Sequence, residues 1–155
     1  MAHRIDFESL FSLKERIALI SGASSGLGEH FAQVLSGAGA HVVVAARRSD
    51  KLTSLVQMLR DQGGKADPIT LDVTSRESVR DAFETFDAQF SQLDILVNNA
   101  GIANPPLRFV DATEDDWAPV LDVNLTGAWR VAQAAARRIK QQHSGNIVNT
   151  GSIYS

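Results

Sequence analysis

The residues of this chain best suited to chemistry begin with the run Ser21-Gly22-Ala23-Ser24-Ser25-Gly26-Leu27-Gly28, whose glycines are spaced G-x-x-x-G-x-G. A glycine turn lets backbone approach a phosphate closely. A helix starting inside the turn adds free N–H groups and a favourable dipole. Gly22, Ser24, Ser25, Gly26, Leu27 and Gly28 are therefore candidates to hold a phosphate; the plainer role for such glycines is an ordinary tight turn. No G-K-[ST] follows, so the run is not a P-loop. Further along stand the adjacent arginines Arg47 and Arg48, a residue type that pairs bidentately with phosphate. Asp72, the amide-rich run Asn98-Asn99-Ala100-Gly101, Asn124 and Ser152 complete the set.

Composition removes several other chemistries. There are no cysteines, which excludes disulfides, thiolate zinc sites and thiol catalysis. The histidines at 3, 30, 41 and 143 show no paired metal-ligand spacing, so no metal site is expected. The net charge of −3 argues against a nucleic-acid partner. No stretch approaches the roughly 18 consecutive apolar residues of a membrane span. Residues 1–12 carry Arg4, Asp6 and Glu8 and no apolar run, and so read as an N-terminal extension and not a signal peptide. The expected location is the cytoplasm.

Elements must now be found to position the polar set. Residues 17–20 form a short apolar run ended by Gly22 and read as a buried strand. A helix from about Gly26 places Leu27, Phe31, Leu35 and Ala38 on one face, with Gly39 as its stop. Residues 41–46 are a second, β-branched strand. Ser49 or Asp50 can cap the next helix, and 68–71 form a third strand. Thr74-Ser75-Arg76-Glu77 has the form of a capping box for a helix with Val79, Ala82, Phe83, Phe86 and Phe90 inward. Residues 93–97 are a fourth strand. One long helix is expected from Thr113 to about Gln141, and residues 145–149 are a fifth strand. Alternating strands and helices predict an α/β fold: a doubly wound parallel sheet of Rossmann type, cut off after its fifth strand, over residues 13–155. Ligands of such sheets bind beyond the carboxyl ends of the strands. Apart from Asn124, which falls inside the long helix, every polar or glycine motif named above lies in a segment that follows a strand.

The end of the second strand is informative. A carboxylate there would accept hydrogen bonds from a ribose 2′-OH and repel a 2′-phosphate. Here the position is Ala46, with Arg47 and Arg48 beyond it. That predicts NADP(H) as cofactor in preference to NAD(H).

The glycine run resembles the T-G-x-x-x-G-x-G motif of the short-chain dehydrogenase/reductase family, with Ser21 keeping the hydroxyl of the threonine. The resemblance extends from about Leu13 to Ser155. It is renewed by the N-N-A-G run, by Asn124 within Val123-Asn124-Leu125-Thr126-Gly127, and by Asn149-Thr150-Gly151-Ser152. It implies that Asp72 and the backbone of Val73 lie near the adenine. It also implies that Asn99, Ala100 and Gly101 line the cofactor while bracing the sheet. Asn124 would interrupt its helix and serve a proton relay, and Ser152 would hydrogen-bond the substrate oxygen. An asparagine in mid-helix is in any case costly if buried.

The implied reaction is reversible hydride transfer between NADP(H) and a carbonyl or alcohol. The family's tyrosine and lysine, in a Y-x-x-x-K run about a dozen residues past the serine, do not occur here. Tyr154 is two residues from Ser152 and has no lysine after it. The sequence therefore reads as a fragment, inactive by itself, of a homo-oligomeric oxidoreductase; a non-catalytic cofactor-binding module is the alternative.

Overall fold

The computed structural model describes residues 10–152. Residues 1–9 of the N-terminal extension, and Tyr154 and Ser155, lie outside the described residues. Five strands form one parallel sheet in the order β3-β2-β1-β4-β5: β1 (Ile17–Ser21), β2 (His41–Ala46), β3 (Lys65–Thr70), β4 (Ile95–Asn98) and β5 (Asn146–Asn149). The register pairs Ile20 with Val44 on one side and with Val97 on the other. Central parallel strands are covered on both faces, which is why β1 and β2 read as unbroken apolar runs.

Alternation divides those runs between two cores. Ala18, Ile20, Val42 and Val44 face helices α1 (Gly26–Gly37) and α2 (Ser49–Asp61). Leu19, Val43, Ala45 and Leu96 face α3 (Arg76–Gln89) and α5 (Ala128–Gln142). After β3 the chain crosses to the far side of β1, so β1 and β4 flank the switch in strand order. At their amino ends Asp94, 5% exposed, ties them together: it accepts from Arg16 (2.8 Å), from the Ile17 N–H (2.9 Å) and from Gln92 (2.9 Å). At the outer strand β5, Ile147 packs into the second core while Val148, on the opposite face, is 54% exposed.

Several local expectations are corrected. Leu27 is not on the inward face of α1; it is 60% exposed, and Gly28, Phe31, Ala32 and Leu35 pack inward instead. Neither Ser49 nor Asp50 caps α2, which starts at Ser49 after an Arg48 that makes no side-chain cap. Thr74 does not cap α3, because its hydroxyl donates to Asp72; Ser75 is the cap and accepts from the Ser78 N–H. The third strand begins earlier, at Lys65, and the fourth later, at Ile95.

The long helix is in fact three pieces. A short α4 (Glu114–Leu121), capped by Thr113 in a reciprocal box with Asp116, leads into a π-helix (Asp122–Gly127) and then into α5. Pro119 lies inside α4 and lacks the N–H that would bond back one turn. Within α5, Ala135 is fully buried, whereas Ala136 is exposed. Among the described residues no helix is long and apolar enough to cross a membrane, and no group of acidic, histidine or cysteine side chains could hold a metal.

Candidate functional site

The polar motifs meet at the carboxyl edge, around the β1–β4 switch. Three glycines there have three separate reasons. Gly22 has φ +69°, and a Cβ on it would lie 2.7 Å from the Ala100 Cα. Gly28 is in helical backbone, but a Cβ would sit 2.3 Å from the Gly22 carbonyl oxygen and 2.7 Å from Asn99 Nδ2. Gly26 has φ +60° and a Cβ there would point into open space. Two of the glycines thus permit close packing of turn, helix and neighbouring loop. The third leaves an uncrowded surface at the start of α1. The preceding Ser25 is extended and its side chain makes no capping hydrogen bond to the first turn of the helix.

Ser21, fully buried, joins this turn to the segment after β4. Its hydroxyl accepts from the Asn99 N–H (2.9 Å) and the Ala100 N–H (3.0 Å), and donates to Asn98 (3.4 Å). Asn99 Nδ2 donates to the Ser21 carbonyl at 3.2 Å, and Asn99 Oδ1 accepts from the Thr150 hydroxyl at 3.3 Å. Asn98 Nδ2 donates to the Ala128 carbonyl (2.8 Å), just past the π-helix, and to Asn149 (3.0 Å). The loops after β1, β4 and β5 are thereby fastened to one another. Ser152 lies exposed on the last of them.

Arg48 is exposed and lies over the glycine turn. Its Nε and NH2 donate to Ser24 Oγ at 3.3 and 2.9 Å, and NH2 donates to Ser25 Oγ at 2.8 Å. The guanidinium is held beside the end of β2, where Ala46 is buried and offers no carboxylate. Arg47 is exposed and exerts its influence through charge on Asp72.

Asp72 follows β3 and accepts from the Thr74 N–H (3.0 Å) and the Thr74 hydroxyl (2.7 Å), while its own N–H donates to Ser78 Oγ (2.9 Å). Burial works to raise its pKa, but the two Thr74 hydrogen bonds and the Arg47 charge outweigh it, leaving the carboxyl below its ordinary value. A carboxyl lowered on folding stabilises the fold above the unfolded pKa. That contribution is lost as pH falls through the folded value. In Asp72→Asn the melting temperature should drop by about 1–2 °C at neutral pH, a small figure because the group is well solvated. The deficit should shrink toward pH 3. Thermal melts across that range check it, and parallel curves would assign the carboxylate no role.

Asn124 is exposed, which overturns the expectation of a buried asparagine in mid-helix. Its conformation is accounted for by pairing: Oδ1 accepts from the Ile102 N–H and Nδ2 donates to the Ile102 carbonyl, both at 2.8 Å. Gly101 passes beside it, with room for a Cβ only 3.4 Å from Asn124 Oδ1. Val73, buried, packs against Gly127 of the π-helix.

The structure brings the glycine turn, Arg48, Asn99, Ala100 and Gly101 together beyond the carboxyl ends of the strands, with Asp72 and Val73 after β3 and Asn124 against Ile102. It gives new roles to Ser21 and Asn149, as cross-links, and adds Arg130 beneath the π-helix. Ser21 and Asn149 lay within motifs already noticed. Arg130 had no signal, since an arginine in a long helix reads as surface.

Comparison with known proteins bears on the family and the fold. A family model described as short chain dehydrogenase matches residues 16–155. The chain is 36% identical, over 91% of its length, to the 3-oxoacyl-[acyl-carrier-protein] reductase FabG of Thermotoga maritima, and covers 57% of that protein. A short-chain type dehydrogenase/reductase from Mycobacterium marinum superposes with a TM-score of 0.88 at 39% identity, over 94% of this chain and 57% of the other. A gluconate 5-dehydrogenase from Burkholderia cenocepacia, solved with NADP and tartrate, gives 0.87 at 38%, over 93% and 56%. The chain thus spans a little over half the length of these relatives. With the sheet order, the glycine turn and the family match in agreement, the chain belongs to the short-chain dehydrogenase family.

Proposed function

We propose that residues 13–155 are the NADP(H)-binding part of an oxidoreductase that transfers hydride reversibly between the cofactor and a carbonyl or alcohol. The observation that carries the choice of cofactor is Arg48, a guanidinium held by Ser24 and Ser25 beside a strand end that has no carboxylate. A 2′-phosphate at that point meets the positive charge of a guanidinium already held in place by the two serines. The open face at Gly26 and the uncapped first turn of α1 suit a pyrophosphate. NADP(H), when bound, supplies the redox chemistry of the reaction.

The remaining work falls to the chain's own groups. Asn99, Ala100 and Gly101 line the cofactor, and Asp72 with Val73 borders the adenine side. Ser152 is positioned after β5 to donate a hydrogen bond to a substrate oxygen. Asn124 fixes the loop at Ile102 from within a π-helix, a form in which main-chain carbonyls leave their usual partners. A carbonyl so released can hold a water for proton transfer. The exposed Trp117, Leu125 and Trp129 supply an apolar face suited to a homo-oligomer of the intact protein.

Affinities of this chain for NADPH and NADH, titrated by tryptophan fluorescence at equal ionic strength, test the proposal. NADPH should bind at least tenfold more tightly. Equal or tighter binding of NADH would overturn the assignment.

A further inference from the structure

We infer that Arg130 is a positioning residue: it locks the π-helix to the loop after β3, and through that lock holds Asn124 on Ile102. Arg130 is in the first turn of α5, with its side chain 16% exposed. Its NH1 donates to the Thr74 carbonyl (2.9 Å), the Val73 carbonyl (3.3 Å) and Asp122 Oδ1 (3.2 Å). Two hydrogens are therefore shared among three oxygens. Asp122 is the first residue of the π-helix and lies eight residues before Arg130. Helical side chains lean toward the N-terminus, so the guanidinium brackets the whole irregular turn.

A π-helix has poor intrinsic stability and depends on its surroundings. The surroundings here are specific. Gly127, its last residue, lies against Val73 so closely that a Cβ would be 2.7 Å from Val73 Cγ2. The same turn presents Asn124 to both backbone groups of Ile102. One six-residue turn thus touches the segment after β3 and the segment after β4 at once.

The cost of this arrangement marks it as more than packing. Arg130 Nε is buried with no hydrogen-bond partner, a penalty that an aliphatic side chain of similar length would avoid. What the arginine provides is the NH1 end. A displacement of the 72–74 loop is then transmitted through Arg130 and the Val73–Gly127 contact to the π-helix, and from there to Ile102. On the cofactor reading proposed above, occupancy of the adenine side would tighten the loop after β4.

The test is amide hydrogen exchange of this 155-residue chain, read residue by residue by NMR. Arg130→Met should speed exchange of the Ile102 amide at least tenfold while Ile20 and Val43 in the sheet keep their rates. Arg130→Lys, which keeps the charge and N–H donors, should restore most of the protection. Unchanged exchange at Ile102, or an equal rise at Ile102, Ile20 and Val43, would overturn the inference. Should Arg130→Met not fold, Asp122→Asn decides: about a threefold rise confined to Ile102 supports the lock, and no rise refutes it. Adding NADPH separates this from the cofactor reading. A wild-type chain that does not respond to NADPH counts against that reading, while the Ile102 rates without cofactor still decide the role of Arg130.

Discussion

Arg48→Glu should lower NADPH affinity about 100-fold and leave NADH affinity unchanged or improved. A hydrogen bond between a charged donor and a phosphate contributes about 1.5–3 kcal/mol, or roughly 10- to 150-fold in affinity. Reversing the charge adds repulsion to the lost attraction. NADH has a 2′-hydroxyl in place of the phosphate, and a glutamate at this strand end could accept from it. Titrations belong near 0.15 M salt, because an exposed guanidinium is screened and low salt would exaggerate the effect. The variant also frees the Ser24 and Ser25 hydroxyls that Arg48 now holds. Equal losses for both cofactors would therefore mean that Arg48 only orders the glycine turn and does not read the phosphate.

The glycine run offers a second large effect, because two neighbouring glycines should fail in different ways. Gly28→Ala places a methyl 2.3 Å from the Gly22 oxygen and 2.8 Å from its carbonyl carbon, both backbone atoms that cannot swing aside. Overpacking of this kind costs about 3 kcal/mol, which in a chain of this size lowers the melting temperature by about 6–12 °C. Gly26→Ala meets no atom within 4 Å and carries only the strain of φ +60°, about 1–2 kcal/mol. Its methyl, however, occupies the open surface proposed for the pyrophosphate. It should melt about 2–8 °C below wild type yet lose at least tenfold in NADPH affinity. Melting curves and titrations on the two variants give the comparison. A Gly26→Ala chain that binds NADPH like wild type would remove the glycine turn from the phosphate site.

How much of this was readable beforehand depended on whether a feature was local. The strands of the inner sheet announce themselves as apolar runs because both faces are covered. The glycine turn is identifiable because it lies between a strand and a helix. The break in the long helix had weaker signals, Pro119 and Gly127, and both are tolerated in continuous helices often enough to be passed over. Thr74 and Ser75 compete for one cap, and Asp72 settles the matter by taking the Thr74 hydroxyl. Asn124 was noticed for the right residue type and for the wrong reason. The expected cost was burial, whereas the side chain is exposed and engaged with Ile102, twenty-two positions away.

Patterns of apolar residues and glycines, each spanning fewer than about twenty positions, were enough to specify a parallel α/β sheet and the glycine turn between its first strand and first helix. Such patterns reflect backbone geometry and burial, which act between near neighbours. They could not disclose the partners of single polar groups: Arg48 with Ser24 and Ser25, Ser21 with Asn99 and Ala100, or Arg130 with Thr74 and Asp122. Those pairings join segments up to 79 residues apart. They exist only once the sheet order has brought β1 beside β4 and set the π-helix between two loops. A hydrogen bond depends on distances of a few tenths of an ångström, and folding, not spacing along the chain, sets those distances.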